Sequence, residues 1–170
     1  HELELRQFTL DDYDDLRRIM NRIYPDMGGA WSREQFASMI ARFPEGQLCI
    51  EDKGRVVAGA LSLIIDYSRY GDRHTYGDVI GDGDLKNHDP SGDFLYGFDI
   101  FVSPDYREMR LGRRLYDARK ELCETLNLKG IIIGGRIPGY AEWADRKTPQ
   151  QYIRMVYNRE VLDPVLTFQM

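Results

Sequence analysis

The chain has 170 residues, 42% of them hydrophobic and 30% charged, with a formal net charge of −5. That length fits one ordinary domain with its own core, and the composition is neither that of a disordered chain nor that of a membrane span. The acidic balance argues against a general nucleic-acid binder. No apolar run nears the roughly 18 residues that cross a bilayer, and no secretory leader is recognisable.

Residues 2–8 alternate and predict a first strand. Thr9 caps a helix, with Asp12 as its capping-box partner, and Leu10, Tyr13, Leu16, Ile19, Met20 and Ile23 form its apolar stripe. The turn at 24–29 breaks that pattern, and Ser32 with Gln35 opens a second helix that ends at Pro44. Residues 47–51 and 56–65 predict strands joined by a hairpin across Asp52-Lys53-Gly54-Arg55. A long polar stretch, 67–92, is rich in Asp and Gly, and its length marks it as functional or mobile. Residues 94–102 predict an apolar strand, and a helix follows from about Glu108, apolar at 111, 115, 118, 122 and 126. The β-branched run at 129–135 predicts a buried parallel strand. Segments 150–158 and 162–169 are expected to be weak helices. Two cysteines, Cys49 and Cys123, lie far apart in apolar surroundings, which speaks against a disulfide framework or a cysteine metal site and for a reducing cytoplasm.

The order strand, turn, helix, strand between 94 and 135 is a βαβ unit, and its turn lies where open α/β sheets bind ligands. Residues 105–120 hold six Arg or Lys against three Asp or Glu. Arg107, Arg110, Arg113 and Arg114 stand at the positive end of the helix dipole, which costs roughly 0.3–1 kcal/mol each. A bound phosphate offsets that repulsion; an ordinary solvated basic face is the alternative.

The run Val102-Ser103-Pro104-Asp105-Tyr106-Arg107-Glu108-Met109-Arg110-Leu111-Gly112-Arg113 resembles the signature of GNAT acetyltransferases. Arg107 takes its first position and Gly112 its last, while Arg110 stands where the family has a Gly. The likeness implies an α/β (α+β) fold, a GNAT-like mixed sheet flanked by helices, with residues 1–170 forming one acetyltransferase domain. It also implies acetyl-CoA as acyl donor, no metal, and a small-molecule or peptide amine as acceptor. By position, Ile100, Phe101 and Val102 would pair with the pantetheine arm. The backbone of Arg107, Glu108, Met109, Arg110, Leu111, Gly112 and Arg113 would hold the pyrophosphate. Family domains close with a β-hairpin, for which no segment is evident, so a truncated domain with an open sheet edge is expected.

Asp99 is the candidate base that strips the amine of its proton. It is the one charge in its strand, and apolar flanks favour proton uptake; a structural ion pair is the competing role. His74 and His88 are the alternatives, since histidine titrates near neutrality. The general acid stays unassigned. Asp82-Gly83-Asp84-Leu85-Lys86-Asn87 begins like a calcium loop but lacks the Gly at position six and the closing Glu, so no metal is expected there. Segments around Gly71, His88, Leu111 and Gly135 resemble the bacterial GNAT subgroup fused to a carbon–nitrogen (nitrilase-like) hydrolase domain. That likeness implies a fused or partner hydrolase, with a homodimer as the other assembly to test. A non-catalytic acyl-CoA-binding regulatory module is the rival of an active enzyme.

Overall fold

The computed structural model describes residues 2–25, 29–70, 76–136, 150–157 and 165–169, the last two stretches by backbone alone. The elements are β1 (Leu3–Gln7), α1 (Tyr13–Ile23), α2 (Arg33–Arg42), β2 (Leu48–Asp52), β3 (Arg55–Ile65), α3 (Tyr76–Ile80), β4 (Phe94–Val102), α4 (Leu111–Thr125), β5 (Gly130–Arg136), β6 (Gln150–Tyr157) and β7 (Val165–Gln169). The strands form one mixed sheet in chain order, β1 to β7. Neighbours are antiparallel except β4 and β5, which run parallel across the α4 crossover.

Both helix starts follow from local chemistry. The Thr9 backbone N–H donates to Asp12 at 2.8 Å. At α2 the Ser32 hydroxyl accepts from the Gln35 N–H at 3.1 Å, while Gln35 Oε1 accepts from the Ser32 N–H at 2.7 Å, so two otherwise unpaired donors are satisfied. Leu16, Ile19 and Met20 carry the α1 stripe into the core with at most 1% exposure, worth roughly 1.5–3 kcal/mol each. They join Phe36, Met39, Leu61, Leu63 and Phe98 in the larger core cluster. A second cluster, Leu48, Ile50, Val57, Ala58 and Ala60, packs on Leu111 and Leu115 of α4.

The last two elements correct the sequence expectation. Residues 150–157 and 165–169 are strands, not helices, and complete a seven-stranded sheet where an open edge and a missing hairpin were expected. Their composition explains this. Tyr152, Ile153, Val156, Tyr157, Val165, Thr167 and Phe168 are β-branched or aromatic types that favour a pleated surface. β5 also needs a partner on its outer edge, and β6 supplies it across Gly130–Arg136.

Candidate functional site

The strands β4 and β5 share a ladder only over Phe94–Gly97 and Gly130–Ile133. Beyond it β4 stays on β3 up to Val102, while β5 follows β6 up to Arg136. A wedge therefore opens between residues 98–102 and 134–136. A bulge marks the parting: Leu61 faces Asp99 and Ser62 faces Gly97, leaving Phe98 as the extra residue, and such an insertion bends its strand. The Ser103 N–H donates to the Val57 carbonyl at 2.8 Å. Strand alternation then turns the backbone groups of Val102 and Ile100 away from β3, into the wedge.

Arg119 of α4 holds the bulge. Its guanidinium, 1% exposed, donates from Nη2 to the carbonyls of Leu61 at 2.8 Å and Asp99 at 2.5 Å. Gly97 leaves room for it, since a Cβ there would lie 2.6 Å from Arg119 Cζ. In this structure the glycine admits a guanidinium. Leu111, Leu115, Arg119 and Cys123 are the buried residues of α4. Arg119 thus sits on the i, i+4 row of the buried stripe, and an arginine on that row is the sequence signal that finds it.

Asp99 is 4% exposed. Its Oδ2 accepts from the Trp31 indole N–H at 3.0 Å, and its Oδ1 accepts from the Tyr24 hydroxyl at 3.2 Å. The same hydroxyl lies 3.3 Å from the carbonyl oxygen of Ile100. Trp31 is fixed in turn by the Tyr13 hydroxyl on its carbonyl at 2.7 Å and by an edge-on contact with Phe98. Two neutral donors thus aim a buried carboxylate beside the wedge. Tyr24 and Trp31 stand on either side of the run Pro25-Asp26-Met27-Gly28-Gly29, whose breaker residues hide their role in a sequence reading.

At the mouth of the wedge the chain forms a 3-10 turn, Pro104–Met109. Arg110 then takes the left-handed conformation, φ 55° and ψ 34°, as N-cap of α4. The helix begins at Leu111, three residues later than the pattern predicts, because a left-handed residue cannot lie inside it. Arg110 thereby adopts the geometry that a glycine would take without strain. The N–H groups of Leu111, Gly112 and Arg113 head the helix, where intrahelical acceptors are lacking. A Cβ on Gly112 would meet nothing within 4 Å, so the protein leaves that face open to a ligand. Arg107, Arg110, Arg113 and Arg114 are all exposed. Arg113 makes a loose pair with Asp117 at 3.5 Å.

The two histidines fare differently. His88 stacks on Phe43, with ring centroids 4.6 Å apart, and its Nδ1 accepts from the Ile64 N–H at 3.0 Å. Burial holds its imidazole below the usual histidine value, so it is neutral. With Nδ1 accepting, the ring proton sits on Nε2, and protonating Nδ1 would cost the Ile64 bond. These contacts pin the polar loop to β3. His74 lies outside the described residues. The loop is further tied to α2 by Gln35 Nε2 on the Asp82 carbonyl at 2.6 Å and the Ser38 hydroxyl on the Asp84 carbonyl at 2.5 Å. Gly83 packs against the Trp31 ring. Among the described residues no cluster of His, Cys, Asp or Glu is set to hold a metal, and no helix is long and apolar enough to cross a membrane.

A wedge between parallel strands, with a bulge beside it and a basic helix start at its mouth, is the candidate site of this α/β domain. A model of the acetyltransferase (GNAT) family matches residues 13–138, and the chain belongs to that family. It is similar to the "Probable hydrolase YhcX" of Bacillus subtilis, 41% identical over 99% of this chain but only 33% of the relative. It is also similar to the "Uncharacterized N-acetyltransferase YkwB" of the same organism, 35% identical over 98% of this chain and 75% of the relative. The chain thus spans a third of one curated relative and three quarters of the other. Among solved structures, the loading GNATL domain of CurA from Lyngbya majuscula shares the fold. Its TM-score is 0.70 at 19% identity, over 85% of this chain and 70% of that one.

Proposed function

We propose that this chain is an N-acetyltransferase that passes an acetyl group from acetyl-CoA to a primary amine by direct attack. The observation that carries the reading is the wedge between β4 and β5, which opens beside a buried carboxylate and ends at the basic start of α4. The residues fit the donor. Ile100, Phe101 and Val102 border the wedge, and the backbone groups of Ile100 and Val102, turned away from β3, would pair with the pantetheine amides. The turn from Arg107 to Arg113 would hold the pyrophosphate on the α4 N–H groups, with the arginines supplying charge. The bound donor supplies an activated acyl group. Asp99 receives the proton of the attacking amine, and Trp31 and Tyr24 keep its carboxylate aimed. Membership of the family and the likeness to YkwB support the activity. The two cysteines are free and buried, which supports the cytoplasm as its compartment.

A second reading is kept for one observation: the chain spans only a third of a relative called a hydrolase. In that reading the domain is a non-catalytic acyl-CoA sensor of a larger amidohydrolase protein, acting on a fused or partner hydrolase. A turnover screen of acetyl-CoA against small amines and peptide N-termini, read by mass spectrometry, decides between them. An acetylated product supports the transferase. Tight acetyl-CoA binding without any product supports the sensor.

A further inference from the structure

We propose that the Tyr24 hydroxyl is the group through which Asp99 takes up and returns its proton, so that the pair serves as both base and acid. The inference rests on the transferase reading above. Asp99 is 4% exposed, which keeps its carboxylate from exchanging protons freely with water. Trp31 and Tyr24 each donate to it. An indole N–H only donates, so Trp31 can orient the carboxylate but cannot relay a proton. A phenol both donates and accepts, so Tyr24 can do both.

The position of that hydroxyl singles it out. It lies 3.2 Å from Asp99 Oδ1 and 3.3 Å from the Ile100 carbonyl, a backbone group that faces the wedge. It therefore stands between the buried carboxylate and the slot where the acyl group would lie. Tyr24 is the residue after α1, its N–H bonded to Met20, and its ring is 2% exposed. Core packing holds the hydroxyl in place. Tyr13 is committed to the Trp31 carbonyl and Tyr106 to Asp52.

The proton count closes with this pair alone. The amine enters neutral, having lost its first proton to water. Its nitrogen forms the C–N bond, and the C–S bond breaks with its electron pair leaving on sulfur. As nitrogen gives up its remaining excess proton to the Tyr24 oxygen, the Tyr24 hydroxyl proton passes to Asp99. The reverse transfer, Asp99 to Tyr24 and Tyr24 to the thiolate, delivers that same proton to sulfur. One proton leaves nitrogen, one reaches sulfur, and both residues return to their starting forms.

The test compares the wild type, Tyr24→Phe, Asp99→Asn and the double variant, all with acetyl-CoA and an accepted amine. Tyr24→Phe keeps the buried ring and removes the hydroxyl. Its kcat should fall roughly 10²-fold, within the range of general acid–base catalysis, with the KM for acetyl-CoA changed less than about twofold. Because the two residues act as a unit, the double variant should be about as slow as the worse single variant, not the product of both losses. A second readout needs no turnover. In the ligand-free protein the carbon-13 carboxyl resonance of Asp99 should titrate at higher pH in Tyr24→Phe, since a donor to the ionised form is gone. Should Tyr24→Phe fold poorly, 3-fluorotyrosine at position 24 keeps the shape, and its more acidic hydroxyl must displace the pH–rate profile. Tyr24→Phe turnover at the wild-type rate, multiplying losses, or an unmoved Asp99 titration each overturns the relay while leaving the transferase standing. A wild type that acetylates no amine overturns the transferase reading and the relay with it.

Discussion

The guanidinium of Arg119 occupies the space that a side chain on Gly97 would need, with Arg119 Cζ 2.6 Å from the position of a Cβ there. The two residues come from α4 and β4, the elements that carry the arginine-rich helix start and the candidate base. Arg119 bonds the two carbonyls, Leu61 and Asp99, that face each other where the ladder shifts register at the Phe98 bulge. Helix start, bulge and carboxylate are thereby held as one unit.

Replacing Gly97 by Ala should displace Arg119 and break its hydrogen bonds to both carbonyls. Hydrogen bonds to a charged donor contribute about 1.5–3 kcal/mol each, so the melting temperature should fall by roughly 5 °C or more. Arg119→Met, which removes the same two hydrogen bonds, should lower it comparably. An unchanged melting temperature in Gly97→Ala would show that the contact is slack.

Gly112 offers the opposite case. Nothing in the protein lies within 4 Å of a Cβ placed there, so Gly112→Ala should stabilise the fold by up to about 0.5–1 kcal/mol through helix propensity. The same methyl would stand where the proposed pyrophosphate site meets the helix start, and CoA affinity should drop about tenfold. Differential scanning fluorimetry and calorimetry on one preparation check both signs. A variant that gains stability and keeps full affinity would move the phosphates off this turn.

His88 predicts a pH dependence of stability rather than of chemistry. Its folded-state value is held below the ordinary 6.5 by burial. A histidine shifted downward has its full stabilising contribution above the unfolded value and loses it as pH falls from there towards the folded value. Denaturant midpoints should therefore be flat above about pH 6.5 and decline below it, and His88→Gln should soften that decline. Turnover per folded molecule should stay near wild type, and a loss of several orders of magnitude would return His88 to the list of bases.

Asp99→Asn keeps the shape of the side chain and its ability to accept from Trp31, but it cannot take a proton. Acetyl transfer should fall roughly 10²–10⁴-fold with CoA affinity nearly unchanged. Wild-type turnover in the folded variant would reduce Asp99 to a structural acceptor for Tyr24 and Trp31.

Much of this was legible in the residues themselves. The α1 stripe, the Ser32–Gln35 capping box and the βαβ unit follow from local periodicity and turn chemistry, and they appear as expected. The arginine-rich turn was legible too, because four cations at a helix start violate a local rule. The left-handed Arg110 was not, since its conformation is set by the turn and not by its own preference. The pairing of 150–157 and 165–169 depends on β5 needing a neighbour, which no window of sequence contains. Tyr24 and Trp31 meet Asp99 across 75 and 68 residues of chain, and such contacts exist only once the sheet and α1 have docked.

Calorimetric titration of acetyl-CoA into the folded protein tests the central claim most directly, because every step assigned to Asp99 presupposes a donor in the wedge. One site is expected with a dissociation constant on the order of micromolar, near −8 kcal/mol, weakened about tenfold in Arg107→Ala and in Arg113→Ala. Absence of binding in a sample whose melt shows a cooperative fold, or affinity untouched by both substitutions, would contradict it.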